Sequence, residues 1–450
     1  MKPTILEKYG EARLPRYTSY PTAPQFSSKV DALTYEGWLA GTPSETGISL
    51  YLHIPFCRSM CWYCGCHTTI SKQEQPIVDY LDALRAEIQL VATKTRRPLT
   101  VDHVHFGGGT PTIMQPQEFI DLMHLLREHF VLSSRSEIAV EIDPRTLSDE
   151  MVQALGHSGA GRASLGVQSF DPAVQRAINR IQSVEQTAGA VTALRTAGVV
   201  NINFDLIYGL PLQTVSSCTK TAEQAIALRP DRFAVFGYAH IPSFKKHQRM
   251  IDEATLPNAH QRDQQAEAIA STLMTAGYQR IGLDHYALES DELVTAQASG
   301  KLRRNFQGYT TDTCETLIGF GASAIGHMRE GYIQNEVPLR LYAKRIAAGQ
   351  LATSKGYHLT TEDRLRAAII ERLMCDFEVD VTEICASHGF DAGILLTNNA
   401  RLDMLCDDGV IDIHNGFIRV GHEQRFVIRA VAASFDAYLD QTGRTHGKAA

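Results

Sequence analysis

Short apolar runs recur through the first half of the chain: ISLYLHI (48–54), VDHVHF (101–106), EIAVEI (137–142), ASLGVQ (163–168), INFDLIY (202–208) and FAVFGYA (233–239). They are rich in Val, Ile and aromatics and end at Gly, Pro or polar residues, which predicts six β-strands. Between them the period lengthens to that of a helix. DYLDALRAEIQLVA (79–92) sets Tyr80, Leu84, Ile88 and Val91 on one face, and EFIDLMHLLREHF (118–130) repeats the pattern. VEQTAGAVTALRTAG (184–198) does so too and closes on Gly198, where a C-cap is expected. Strands alternating with helices predict βα units on a parallel sheet, and six units fit an α/β fold of the partial (β/α)6 barrel type better than a closed eight-unit barrel.

The two flanks break this rhythm. Residues 1–46 hold Pro3, Pro15, Pro21, Pro24 and Pro43 with little periodicity, predicting an extended N-terminal arm with room for one helix. The barrel domain then spans 47–357. From 358 to 450 the pattern predicts a smaller, mostly helical C-terminal domain. LTTEDRLRAAIIERLM opens like a capped helix, and GVIDI and GFIRV flank Asn415-Gly416, a hairpin signal. Helices before a hairpin suggest a winged-helix-like module. The acidic EDRL, CDDG and VIDI point to packing or a lid rather than to DNA.

Composition narrows the function. The 450 residues are 44% hydrophobic and 21% charged, with a net charge of -7 and no Lys/Arg-rich run. That is ordinary globular composition and gives no support for a nucleic-acid partner. The N-terminus has no secretion-signal core, and no uncharged apolar stretch approaches the ~20 residues of a membrane span. A cytoplasmic enzyme without a membrane span is the expectation.

Of nine cysteines, Cys57, Cys61, Cys64 and Cys66 crowd together, while Cys218, Cys314, Cys375, Cys385 and Cys406 are scattered and carry no assigned role. A disulfide framework is unexpected in a long chain with no export signal. Cys57-x3-Cys61-x2-Cys64 follows the first strand, and three thiolates there can hold three irons of a 4Fe–4S cubane. The fourth iron is then open to S-adenosylmethionine, whose reductive cleavage releases a 5′-deoxyadenosyl radical. Other readings are a zinc ion on these residues with Cys66 or His67, an electron-carrier cluster with Cys66 as fourth ligand, and chance grouping in a reducing cytosol. CxxxCxxC is the signature of the radical S-adenosylmethionine superfamily, which the chain resembles.

In a βα scaffold, chemistry gathers at the C-terminal ends of the strands. Here those ends carry CRSMCWYC, GGGTPT (107–112), Asp143-Pro144-Arg145, Gln168-Ser169-Phe170, Gly209-Leu210-Pro211 and Ala239-His240. GGGTPT fails both GxGxxG and the P-loop, because Thr112 stands where a glycine belongs and no Lys follows; glycines without Cβ let backbone approach a ligand, and a tight βα turn is the alternative. Glu141 and Asp143 end the third strand, where a carboxylate could hold ribose hydroxyls or an amino group. Gln168, Arg180 and Asp205 lie near later strand ends.

Taken together, YLHIPFCRSMCWYCGC, HFGGGTPT, EIDPR, LGVQSF, NFDLIYGLP and FGYAHIP resemble the oxygen-independent coproporphyrinogen III oxidase family. So do PRYTSYPTA (15–23), GLDHYAL (282–288), RNFQGYTT (304–311) and LIGFGASAIG (317–326), and the likeness covers about 15–440. Haem-chaperone paralogues share the cysteine loop and GGGTPT but generally lack the arm and NFQGYTT, and tend to place Asp-Phe where this chain has Gly65-Cys66.

The resemblance implies two S-adenosylmethionine molecules beside the cluster. Tyr51 and Glu141 would contact the cluster-bound one, Tyr63 would stack near its adenine, and Gly108, Gly109 and Thr110 would line its groove. Gln168, Arg180, Asp205, Ala239 and Ile325 match positions that approach these molecules, and Tyr51, Glu141 and Arg180 are the candidates for a part in catalysis. Cys66 matches a family cysteine that is not a cluster ligand. The implied reaction is oxidative decarboxylation of two propionates of coproporphyrinogen III to the vinyl groups of protoporphyrinogen IX, in haem biosynthesis. Arg16, Arg303 and Arg304 are candidates for the substrate carboxylates. An electron-donor protein such as flavodoxin or ferredoxin and a monomeric state complete the expectation; a haem chaperone without oxidase activity is the alternative.

Overall fold

In the computed structural model, which describes residues 5–10 and 12–439, all six expected strands form. The outer ends of the arm and of the C-terminal domain lie outside the described residues. The strands are β1 (Ile48–Ile54), β2 (Thr100–Gly108), β3 (Val131–Ile142), β4 (Arg162–Gln168), β5 (Asn201–Tyr208) and β6 (Arg232–Gly237). They pair in chain order and all in parallel.

Parallel neighbours need crossovers, and helices supply them. An arm helix, α1 (Ala32–Gly41), precedes the sheet; the crossovers use α2 (Gln75–Lys94), α3 (Pro116–His129), α4 (Asp149–His157), α5 (Val184–Thr196) and α6 (Val215–Ala227), and α7 (Ala259–Thr275) follows β6. The face predicted for α2 is the buried one: Tyr80, Leu84, Ile88 and Val91 are each at most 5% exposed.

The sheet runs further than the alternation predicts. β7 (Tyr278–Ile281) and β8 (His285–Leu288) extend it antiparallel beyond β6, and β9 (Leu317–Phe320) pairs in parallel with the free edge of β1. β10 (Ile325–Met328), β11 (Gly331–Asn335) and β12 (Thr353–His358) continue from β9, giving twelve strands. These additions are short and interrupted by glycine, so no period of 2 develops along them. A buried polar knot holds β9 in place. Glu87 on α2 accepts from Gly321 N (2.6 Å), Asn335 Nδ2 (2.6 Å) and Tyr342 Oη (2.7 Å), and burial pushes its carboxyl up to about 7 against those bonds.

The flanks join each other. Ile5, Tyr9, Leu14, Tyr17 and Tyr20 of the arm share one core with Leu365, Ile369 and Leu373 of α8 (Thr361–Asp376) and with Val431 of α9 (Ile428–Ala433). The arm is therefore strapped to the C-terminal helices rather than free, because its aromatics have an apolar face to cover. Thr360 and Asp363 cap α8 reciprocally. β13 (Glu378–Asp380) pairs with the hairpin of β14 (Ile411–His414) and β15 (Phe417–Val420). Its turn residues Asn415 (φ 51°) and Gly416 (φ 81°) both take the left-handed conformation a two-residue type I′ turn requires. No helix among the described residues is long and apolar enough to cross a membrane.

Candidate active site

The C-terminal ends of the parallel strands open into one cavity of about 1780 Å³, walled also by arm residues around Arg16 and C-terminal residues around Arg429. Cys57, Cys61, Tyr63 and Cys64 line it, as do Gly108, Gly109, Thr110 and Glu141, and further round Gln168, Arg180, Asp205 and Ala239. Two expected positions are not brought to this wall. Tyr51 lies one layer behind it, its hydroxyl 3.0 Å from His53 Nδ1 and its ring stacked on His105. Ile325 opens β10 and packs toward Phe26, Tyr332 and Leu359.

Each loop sulfur has a partner from the protein. Cys57 Sγ is 3.3 Å from Thr110 Oγ1, Cys61 Sγ accepts from Arg145 (3.5 Å) and Arg180 (3.7 Å), and Cys64 Sγ accepts from Cys66 N (3.4 Å). Burial pushes the Cys57 thiol up to about 11, whereas the Cys66 thiol, together with its amide, brings Cys64 down to about 6. Among the described residues the trio of ligand atoms that gathers within 4.8 Å lies elsewhere, at His103, Asp312 and Cys314. The three loop sulfurs are not gathered that closely, an arrangement that suits a metal–sulfide cluster better than one zinc ion. Donor hydrogens aimed at ligating sulfurs are the groups that tune such a cluster.

Carboxylates stand next to the thiols. Glu141 accepts from Gly108 N (3.0 Å) and lies 3.2 Å from His105 Nε2; burial alone would raise its carboxyl, but these bonds hold it below the usual range. Asp143 is likewise ionised despite burial, because Arg145 chelates it and Arg180 stands 3.3 Å away. Asp205 differs. Burial and the charge of Glu141 push it up to about 7, although Ser164 and Asn203 donate to it. Two carboxylates repelling across a cavity suit a cationic ligand such as the amino and sulfonium groups of S-adenosylmethionine. Arg180 keeps its Nε unpartnered beside them.

The glycine run serves packing as well as access. A Cβ on Gly109 would meet Phe56 O at 2.5 Å, and one on Gly108 (φ +116°) would meet the His53 ring at 2.7 Å. The strand end must therefore be bare to lie against His53 of β1 and Phe56 just beyond it, whatever binds in front of it.

Sequence reading missed the clamp on the cysteine loop. Lys245 Nζ donates to Cys66 O (2.8 Å), His247 Nε2 to Cys64 O (2.7 Å), and Gln248 Nε2 to Tyr63 O (3.1 Å) and Ala239 O (3.2 Å). Asn179 Nδ2 holds Met60 O (2.8 Å) from the other side. The only signal was the polar run SFKKHQ after the sixth strand.

Another part of the lining is cationic. Arg304 is buried with Nε and Nη1 lacking hydrogen-bond partners, 3.7 Å from Asp284, and Arg429 is pushed down to about 10 by burial and by Arg16 and Arg304. Arg303 instead turns outward to Glu371 (2.6 Å) and is absent from the lining.

Comparison with known proteins agrees with this geometry. Residues 51–225 match the Radical SAM superfamily. The chain is 56% identical over 449 residues, covering 100% of both chains, to the oxygen-independent coproporphyrinogen III oxidase of Bradyrhizobium diazoefficiens, and 40% identical to that of Paracoccus denitrificans over 99% of this chain and 98% of that one. Its fold superposes on the coproporphyrinogen III oxidase of Escherichia coli, described as a radical SAM enzyme, with a TM-score of 0.90 at 37% identity, covering 95% of this chain and 100% of that one. The chain belongs to the oxygen-independent coproporphyrinogen III oxidase family of the radical SAM superfamily.

Proposed function

We propose that this chain converts coproporphyrinogen III to protoporphyrinogen IX without oxygen, by oxidative decarboxylation of two propionates. The observation that carries the reading is that one cavity, large enough for a tetrapyrrole, is lined both by the cluster-type thiols and by Arg16, Arg304 and Arg429. The family of whole-length relatives favours this reading over a haem chaperone.

When bound, the 4Fe–4S cluster and S-adenosylmethionine supply one-electron chemistry that removes a hydrogen atom from a propionate β-carbon. Cys57, Cys61 and Cys64 hold the irons, and Thr110, Arg145, Arg180 and the Cys66 amide direct hydrogens at the sulfurs. Glu141 and Asp205 attract the cationic groups of S-adenosylmethionine, whose groove runs along Gly108, Gly109 and Thr110 with Tyr63 beside the adenine, and Gln168, Arg180 and Ala239 line space for a second molecule. Tyr51 and Ile325 act from behind the wall, through the residues in front of them. Arg16, Arg304 and Arg429 take substrate carboxylates, since guanidinium forks match them. After hydrogen removal, each propionate loses carbon dioxide and passes one electron to a one-electron acceptor supplied from outside the chain, becoming a vinyl group. We place the enzyme in the cytoplasm as a monomer, fed by a donor such as flavodoxin or ferredoxin.

The test is anaerobic reconstitution with iron and sulfide, followed by reductant, S-adenosylmethionine and coproporphyrinogen III. Vinyl product and 5′-deoxyadenosine from the intact protein and none from Cys61→Ala would support the oxidase. Tight stoichiometric haem binding without either product would overturn it in favour of a chaperone.

A further inference from the structure

The opposite end of the barrel carries a second set of metal-binding groups. Ser49 near the start of β1, Asp102 and His103 near the start of β2, and residues 312–314 leading into β9 meet at the N-terminal ends of the parallel strands. A ring nitrogen of His103, an Asp312 carboxylate oxygen and Cys314 Sγ all lie within 4.8 Å of one another. We propose that these three side chains form a structural zinc site.

Three observations support it. The first is spacing. Ligands about 2.0–2.3 Å from a tetrahedral zinc stand about 3.3–3.8 Å apart; His103 Nε2 is 3.7 Å from Asp312 Oδ1, and Cys314 Sγ is 3.8 Å from Asp102 Oδ2. Asp102 or a water is then the fourth ligand.

The second is backbone. Val101 pairs with Ile48 and His103 with Ser49, so Asp102 is an extra residue bulged out of β2. Such a bulge re-aims side chains, and here it puts two neighbouring residues of one strand beside the same turn. Asp312 is already oriented, accepting from the Ser49 hydroxyl and from Cys314 N (2.8 Å). Outer partners of this kind fix ligating carboxylates.

The third is charge. Among the described residues neither Asp102 nor Asp312 forms an ion pair with Lys or Arg, so two carboxylates flank a thiol with no cation but a histidine. One nitrogen, one sulfur and carboxylate oxygen are a donor set for zinc rather than for magnesium or calcium. Bound there, the ion ties the lead-in to β9 onto β1 and β2, at the end of the barrel where stability rather than chemistry is built.

The test uses holoenzyme made in zinc-depleted medium with its iron cluster in place. Zinc is titrated in competition with a chromophoric chelator, for the wild type, Cys314→Ser and His103→Gln. One equivalent is expected to bind the wild type, and each variant to bind at least ~10–100-fold more weakly, since even an outer-shell partner is worth that much. Zinc-edge absorption should show one sulfur among nitrogen and oxygen ligands, with iron content and oxidase turnover equal in all three proteins. No bound equivalent, equal affinity in both variants, or three sulfurs around the zinc would overturn the proposal, the last by placing the ion in the cysteine loop.

Discussion

The two walls of the cavity are built in opposite ways. On the thiol side the chemistry comes from contiguous stretches at successive strand ends: 57–64, 107–110, 141–145 and 164–168. Carboxylates there are held by near neighbours of the sheet, as Glu141 is by Gly108 and His105, while residues 245–248 clamp the cysteine loop from further along the chain. The cationic side draws Arg16 from the arm, Asp284 and Arg304 from the segment after the barrel, and Arg429 from the C-terminal helix, and Arg304 keeps Nε and Nη1 without hydrogen-bond partners. On the thiol wall each loop sulfur already has a protein partner. On the cationic wall the free donors of Arg304 are suited to an anionic group.

The largest effect should come from the thiol wall. Cys61 sits under both Arg145 and Arg180, and Cys61→Ala is expected to lose the cluster and bring product formation and 5′-deoxyadenosine to background, read by iron content and chromatography. Next in size is the clamp. Gln248→Ala leaves Tyr63 O, Ala239 O and Ile241 N without their partner, a loss on the order of 3 kcal/mol. Iron retained per chain after gel filtration should fall while far-ultraviolet circular dichroism is unchanged. Full iron retention would show that the cysteine loop holds itself.

The cationic wall should respond differently. A hydrogen bond to a charged group is worth ~1.5–3 kcal/mol, so Arg429→Gln is expected to lower kcat/KM for coproporphyrinogen III by about 10–100-fold. Iron content and S-adenosylmethionine affinity should not move. If that affinity fell by the same factor, the two walls would act as one site, and the division between them would be wrong.

The same contrast explains which parts of the molecule are visible in its sequence. Strands and motifs that carry their signal in consecutive residues, such as β1 with its cysteines or β2 with its glycines, are legible from the chain alone. So is the Asn415-Gly416 hairpin, whose turn type depends on two residues. The clamp and Arg429 are not, because a lysine or arginine far along the chain looks like any solvated charge until the fold brings it home. Arg303 and Arg304 make the point together: adjacent in sequence and equally plausible, they face opposite ways along a short extended ribbon, one toward Glu371 outside and the other inside. The β9 extension stays hidden for a related reason. Its anchor, Glu87, is a charged residue on an amphipathic helix, and only burial beside Gly321, Asn335 and Tyr342 makes it a core group.

The smallest predicted effect probes the thiol wall from within, at Asp205. Burial and Glu141 lift its carboxyl to about 7, so in the absence of ligand it is largely protonated below that pH. A cationic ligand favours the ionised form, and binding below about pH 7 must then release a proton. S-adenosylmethionine affinity should therefore rise by at most ~10-fold per pH unit up to about pH 7 and level off above it. Stability follows the opposite sign. A folded pKa above the unfolded value contributes stability that is complete below the unfolded carboxyl pKa and lost as pH climbs through 7, so Asp205 weakens the unliganded fold most in mild base. Asp205→Asn should flatten both trends, and comparison with the wild type cancels Glu87, whose raised carboxyl acts with the same sign. Equilibrium binding and thermal melts at about pH 6 and about pH 8 separate the possibilities. A wild-type affinity indifferent to pH would mean that the ligand's cationic groups are met by Glu141 alone, which the Gly108 amide and His105 already hold ionised.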